Sequence, residues 1–207
     1  AGQTCVAPDT VLLVGHARAA FEAACRATGI ALPETAMVSE AQAARLDQMS
    51  AGAALTALAA NGPGRHRAIA LAEAPDDHPL MQEEIFGPIL PVRACADLAA
   101  AIGWVAARPP PLAIYLFGAT KAEEAAIAAT TRSGAIVAGR CVEYVGFPGL
   151  AFGGIGASGQ GRTHAEEGLH AVSELRAGVR HGRFSLARIF DPPRRAIAER
   201  IVKALVR

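Results

Sequence analysis

The sequence predicts an α/β fold, and three observations carry that reading. Short apolar runs of strand length alternate along the chain with longer segments of helical period. Ser39 with Gln42, and Thr120 with Glu123, have the spacing of capping boxes, which open helices. Residues 112–117, Leu-Ala-Ile-Tyr-Leu-Phe, form a continuous apolar run bounded by proline and glycine, as a strand inside a sheet requires.

Taken in order, the apolar run at residues 11–14 is the first expected strand. A helix over residues 16–27 follows, with Ala19, Ala20, Ala23 and Ala24 on one face and Gly29 then Pro33 closing it. Ser39 opens a helix toward Met49. Gly62, Pro63 and Gly64 make a turn ahead of a strand at residues 68–72. Residues 89–92 read as a strand and residues 97–107 as a helix stopped by three prolines. After the strand at 112–117, Thr120 opens a helix running to about Thr131, and residues 135–138 read as a buried strand. Residues 141–162, rich in glycine and without periodicity, are loop. Pro192-Pro193 precedes a final helix, residues 194–207, with Ile197, Ile201, Ala204 and Leu205 on one face and a basic opposite face. Docking on its own protein or on a second subunit is the role expected of that helix, ahead of contact with an anionic membrane. The division expected is a catalytic domain at residues 1–182 and a tail at residues 183–207.

The 207 residues are 52% hydrophobic and 19% charged, the composition of a globular domain with a sizeable core. A formal net charge of +1 gives no basis for a nucleic-acid partner. Each apolar stretch is interrupted by a charge or proline before it reaches the length of a membrane span. Cys5, Cys25, Cys95 and Cys141 are scattered, without C-x-x-C pairs, which fits reduced thiols in a cytoplasm. His164 and His170 are six apart and fall on different faces of a helix, so no metal site is expected.

Three segments carry chemistry. A lone cysteine is usually a small buried hydrophobe, but Cys5 stands in Ala-Gly-Gln-Thr-Cys, a short polar and glycine-bearing context. Residues 81–89 read Met-Gln-Glu-Glu-Ile-Phe-Gly-Pro-Ile, where Glu83 and Glu84 could equally be a solvated acidic corner before a turn. Residues 152–162 run from Phe152-Gly153-Gly154 to Ser158-Gly159-Gln160-Gly161-Arg162. Gly154 to Gly159 fit G-x-G-x-x-G, yet residues 145–150 hold Gly146, Pro148 and Gly149 where the dinucleotide fingerprint needs a strand.

In this order the three segments resemble the NAD(P)-dependent aldehyde dehydrogenases, and within them the coniferyl-aldehyde dehydrogenase type. The resemblance covers nearly the whole chain as the nucleophile-bearing catalytic domain. It implies an open, mostly parallel sheet flanked by helices, with Cys5 as the nucleophile. Attack on an aldehyde would give a thiohemiacetal, hydride would pass to NAD or NADP, and the thioester would be hydrolysed to a carboxylic acid. It also implies that Glu84 holds the nicotinamide ribose, that Phe86 packs against the nicotinamide ring and that Phe152 lines the aldehyde tunnel. In this family the cofactor-binding domain, with the glutamate general base, precedes the nucleophile. That domain is therefore expected to be a missing partner of this chain, and the isolated chain to be inactive. A homo-oligomer is expected. The sequence departs from the family after Ala135-Ile136-Val137, where Ala138-Gly139-Arg140 stands in place of a common asparagine. The alternative is a non-catalytic truncated descendant serving only subunit association.

Overall fold

The computed structural model describes residues 2–28, 35–183, 186–193 and 196–206. Two compact units result, Ala1–Val172 and Ser173–Arg207. The expected closing residues Gly29 and Pro33 of the first helix lie outside the described residues.

In the first unit a four-stranded sheet has the order β1-β6-β5-β3, where β1 is Val11–Val14, β3 Ala54–Ala57, β5 Ala70–Glu73 and β6 Ile89–Cys95. β6 runs parallel to both β1 and β5, and only the edge strand β3 is antiparallel. Pro91 lies inside β6, where a missing N–H would normally break a central ladder. The pairing with β1 starts one residue later, at Val11↔Val92, so Pro91 has a ladder partner only on the β5 side.

Helices cover both faces, because successive residues of β5 point to opposite sides. Ala72 joins Met37, Leu46, Met49, Leu80, Ile85 and Ile89 in one core, built on α2 (Glu40–Met49) and α3 (Pro79–Gln82). Leu71 joins Leu13 and Val92 in a second core, against which Phe21 of α1 (Arg18–Ala27) packs. The face of α1 differs from expectation. Its alanines at 19, 20, 23 and 24 are exposed, while Arg18, Phe21, Glu22 and Cys25 turn inward. The larger Phe21 buries more apolar area than a methyl row, and Arg18 donates to Ala72 O at 2.7 Å where β5 ends.

Also in the first unit, β7 (Ala113–Leu116) and β8 (Ala135–Ala138), joined through α5 (Lys121–Thr130), form a parallel two-stranded sheet in register Ala113↔Ala135. β8 is expected to be buried, but Ile136 and Ala138, which share one face of the strand, are exposed, while Ala135 and Val137 on the other face are half-buried. α4 (Leu98–Ala106) precedes β7 and is capped by Asp97, whose carboxylate accepts from Ala100 N at 2.7 Å. The remaining pair, β2 (Thr35–Ala36) with β4 (His66–Arg67), is antiparallel and only two residues long. Asp47 on α2 and Arg67 on β4 clasp each other through two bonds of 2.8 and 2.6 Å.

The loop expected at residues 141–162 is largely that, with short 3-10 turns at Glu143–Gly146 and Gly156–Ser158. α6 (Ala165–Ala171) follows. In the second compact unit a 3-10 turn, Leu186–Phe190, packs with α7 (Ala196–Leu205). Ala198 is its buried residue, while Ile197 and Leu205 of the expected apolar face are exposed. Among the described residues no helix is long and apolar enough to cross a membrane.

Candidate active site

Cys5 sits in a tight turn, closed by Ala7 N donating to Thr4 O at 2.9 Å, and is exposed. Its neighbour Val6 is 4% exposed, so the chain passes from solvent into the core within one residue. The segment is pinned on both sides. Before the turn, the Gln3 amide donates to Ala36 O at 3.0 Å and accepts from Val38 N at 2.9 Å, as a third strand beside β2 would. After it, Asp9 Oδ1 accepts from Ile85 N at 3.1 Å. Gly2 has φ +73 and lies against the carbonyl of Gly87, where any side chain would collide. Residues 2–9 are thus laid on residues 84–87, which brings the Cys5 segment onto the Glu84 segment.

Within that second segment Ile85 is the buried anchor, and Glu84 and Phe86 on either side of it are exposed. Arg45 of α2 fixes the segment by donating to Glu84 O at 2.7 Å and to Ile85 O at 3.1 Å, and pairs with Glu83 at 3.6 Å. Phe86 adopts φ +50, a left-handed conformation that costs a bulky residue about 1–3 kcal/mol and collects at functional sites. Val38, Gln42, Arg45, Glu83, Glu84 and Phe86 line an open pocket of about 500 Å³.

Phe152 is held by a reciprocal backbone bridge with Thr163, at 2.8 and 2.7 Å. It belongs to a row of rings. Tyr115 lies 6.5 Å from Tyr144, Tyr144 lies 6.2 Å from Phe152, and Phe152 stacks on His164 at 5.9 Å. The Tyr115 hydroxyl donates to Val6 O at 2.7 Å, which ties the row to the turn bearing Cys5. Burial, with added repulsion from Tyr115 and Cys5, pushes the Tyr144 hydroxyl up to about 12. Burial likewise raises Tyr115. Both rings therefore stay neutral through the physiological range. Burial pushes the Cys25 and Cys141 thiols up, and Cys95 is buried in β6.

Gly154 opens no dinucleotide turn. Its Cα faces the carbonyl of Ser158, so it permits a tight backbone crossing, and a 3-10 turn follows it in place of an α-helix. Among the described residues no group of three His, Cys, Asp or Glu side chains could hold a metal ion.

The Aldehyde dehydrogenase family model matches residues 1–177. The chain belongs to the aldehyde dehydrogenase family. It is 36% identical to the probable coniferyl aldehyde dehydrogenase of Pseudomonas aeruginosa, covering all of this chain and 47% of that protein. It is 35% identical to the dimeric NADP-preferring aldehyde dehydrogenase of Rattus norvegicus, over 52% of this chain and 24% of that protein. The substrate-bound AldH of Staphylococcus aureus superposes with a TM-score of 0.78 at 25% identity, over all of this chain and 48% of that structure. The chain thus spans about half the length, or less, of the aldehyde dehydrogenases it matches. Of the residues singled out from sequence, Cys5, Glu84 and Phe86 stand on two segments packed together, and Phe152 is linked to Cys5 through Tyr115 and Tyr144. Gln3, Arg45, Tyr115 and Tyr144 carry no local sequence signal, because their partners lie far away in sequence.

Proposed function

We propose that this chain supplies the nucleophile and one wall of the cofactor site in an aldehyde dehydrogenase that oxidises an aldehyde to a carboxylic acid with NAD or NADP. The observation that carries the reading is the packing of the Cys5 turn onto the Glu84–Phe86 segment, fixed by Asp9 and by the Gly2–Gly87 contact. Cys5 is the exposed thiol, as a nucleophile must be to meet a carbonyl carbon. Its sulfur would add to the aldehyde carbon to give a thiohemiacetal, loss of the carbon-bound hydrogen as hydride and of the hydroxyl proton would leave a thioester, and water would cleave that thioester to the acid and the free thiol. A bound nicotinamide would supply the hydride acceptor. The pocket residues fit such a ligand. The Glu84 carboxylate can accept both hydroxyls of a ribose, and the exposed ring of Phe86, 37% accessible, offers a flat apolar face. The substrate would approach along the row of rings that includes Phe152. We place the protein in a cytoplasm, where four unpaired cysteines persist, and expect a homo-oligomer.

The test uses Cys5→Ala and Glu84→Gln in the full-length enzyme. Cys5→Ala should abolish aldehyde-dependent reduction of the dinucleotide. Glu84→Gln removes the charge-assisted acceptor and should raise the KM for dinucleotide about 10- to 100-fold, with thiol acylation little changed. Retained turnover without Cys5 would sink the reading, and unchanged dinucleotide kinetics would remove Glu84 from the site.

A further inference from the structure

We propose that Tyr115 is a positioning residue for the nucleophile, holding the Cys5 turn through its hydrogen bond to the carbonyl of Val6; this rests on the reading of Cys5 as the nucleophile. The bond is 2.7 Å long and spans 109 residues of sequence, so it joins the turn to β7, an element that shares no local chain with it. Gln3 and Asp9 anchor the segment two residues before and four residues after Cys5. Tyr115 acts on the residue immediately following the thiol. It holds the Val6–Ala7 peptide, one residue beyond the sulfur, from outside the local chain.

Three features suit Tyr115 to that task. Its backbone is fixed by parallel pairing with β8, at Tyr115↔Val137. Its ring rests against Tyr144, which is itself buried, so the phenol has little room to swing away. Burial keeps the hydroxyl protonated, and a protonated phenol is the only state that can donate to a carbonyl. A thiolate attacks a carbonyl along a narrow path, and a displacement of about 1 Å at the nucleophile can lower a rate on the order of 100-fold. Loss of the donor would leave the Val6 carbonyl unpaired at a position that is 4% exposed, and the turn would shift to find another partner.

The experiment is acylation of the 207-residue chain by p-nitrophenyl acetate, with each thiol followed by mass spectrometry. In the unaltered chain Cys5 should acylate fastest. Tyr115→Phe should slow Cys5 at least five-fold while Cys25 reacts as before and buried Cys95 stays protected. Replacing Tyr115 by 4-aminophenylalanine, which keeps a para donor, should restore most of the rate. Replacement by 4-methylphenylalanine, equal in bulk but without a donor, should not. Unchanged Cys5 acylation in Tyr115→Phe would overturn the inference. So would equal behaviour of the amino and methyl analogues, or a rise in Cys95 labelling in step with the change at Cys5, which would mark general loosening. If Cys5 in the unaltered chain reacts no faster than Cys25, the nucleophile reading itself fails and this inference falls with it.

Discussion

Asp9 carries a carboxylate into a half-buried position near Glu84. Burial raises its pKa, the bond from Ile85 N lowers it, and the charge on Glu84 raises it further, with a net upward shift. Since the folded value lies above the unfolded one, the contribution of Asp9 to stability is fullest at low pH and is lost as pH rises through the folded value. Asp9→Asn keeps the acceptor for Ile85 N and removes the half-buried charge. It should therefore raise stability at pH 7 by up to about 1 kcal/mol, with the gain vanishing below the ordinary carboxylate value of 3.8, as urea titrations at pH 7 and pH 3 would show. Destabilisation at pH 7 would mean that the charge itself is needed. Residues such as Asp9 mark the limit of what a sequence shows about a site. Cys5, Glu84, Phe86 and Phe152 are legible as candidates because each sits inside a short string of characteristic neighbours. Arg45 is not, since its carbonyl partner at Glu84 is 39 residues away, and Tyr115 is 109 residues from Val6. Such contacts are made by packing, and no local pattern encodes them.

Among the elements, those with a chemical start signal are the ones read most directly. α5 begins at a complete capping box, in which Thr120 N donates to the Glu123 carboxylate at 2.7 Å and Glu123 N donates to Thr120 Oγ1 at 3.3 Å. Thr120→Ala should cost about 1 kcal/mol, seen as a lower Tm, and Thr120→Ser should recover most of it. No change on Thr120→Ala would show that the helix is held by packing alone. Ser39 and Asp97 start α2 and α4 with only the first half of that arrangement, accepting from Gln42 N and Ala100 N, and the box expected at Ser39 and Gln42 lacks its return bond. The short strands β2 and β4 have no such signal. Two-residue strands bury too little to leave an alternating pattern, and β2 exists because Gln3 and β4 pair beside it. The inward face of α1 was misread for a related reason. Alanine rows fit either side of a helix, and the choice is made by where Phe21 finds the core formed by Leu13, Leu71 and Val92.

At the scale of the whole molecule, the 207 residues match only 47% of the Pseudomonas aeruginosa relative, and the Phe86 pocket is an open surface. Hydride transfer needs donor and acceptor held within about 3 to 3.5 Å, which an open wall cannot enforce on a large dinucleotide. Thioester hydrolysis also needs a general base, worth about 100- to 10,000-fold. By the family resemblance that base belongs to the part of the relatives that these residues do not match. The first compact unit exposes Phe117, Phe147 and Leu150, large apolar groups that favour association when left in water. The 207-residue chain purified alone should therefore acylate at Cys5 but give no steady aldehyde-dependent NAD(P)H absorbance at 340 nm, and should elute from size exclusion larger than a 21.3 kDa monomer. Adding the remaining part of the enzyme in trans should restore turnover if the two parts meet as the packing of residues 2–9 on residues 84–87 requires. Steady NADH production by the chain alone would place a base and a closed cofactor site within these 207 residues and overturn the argument.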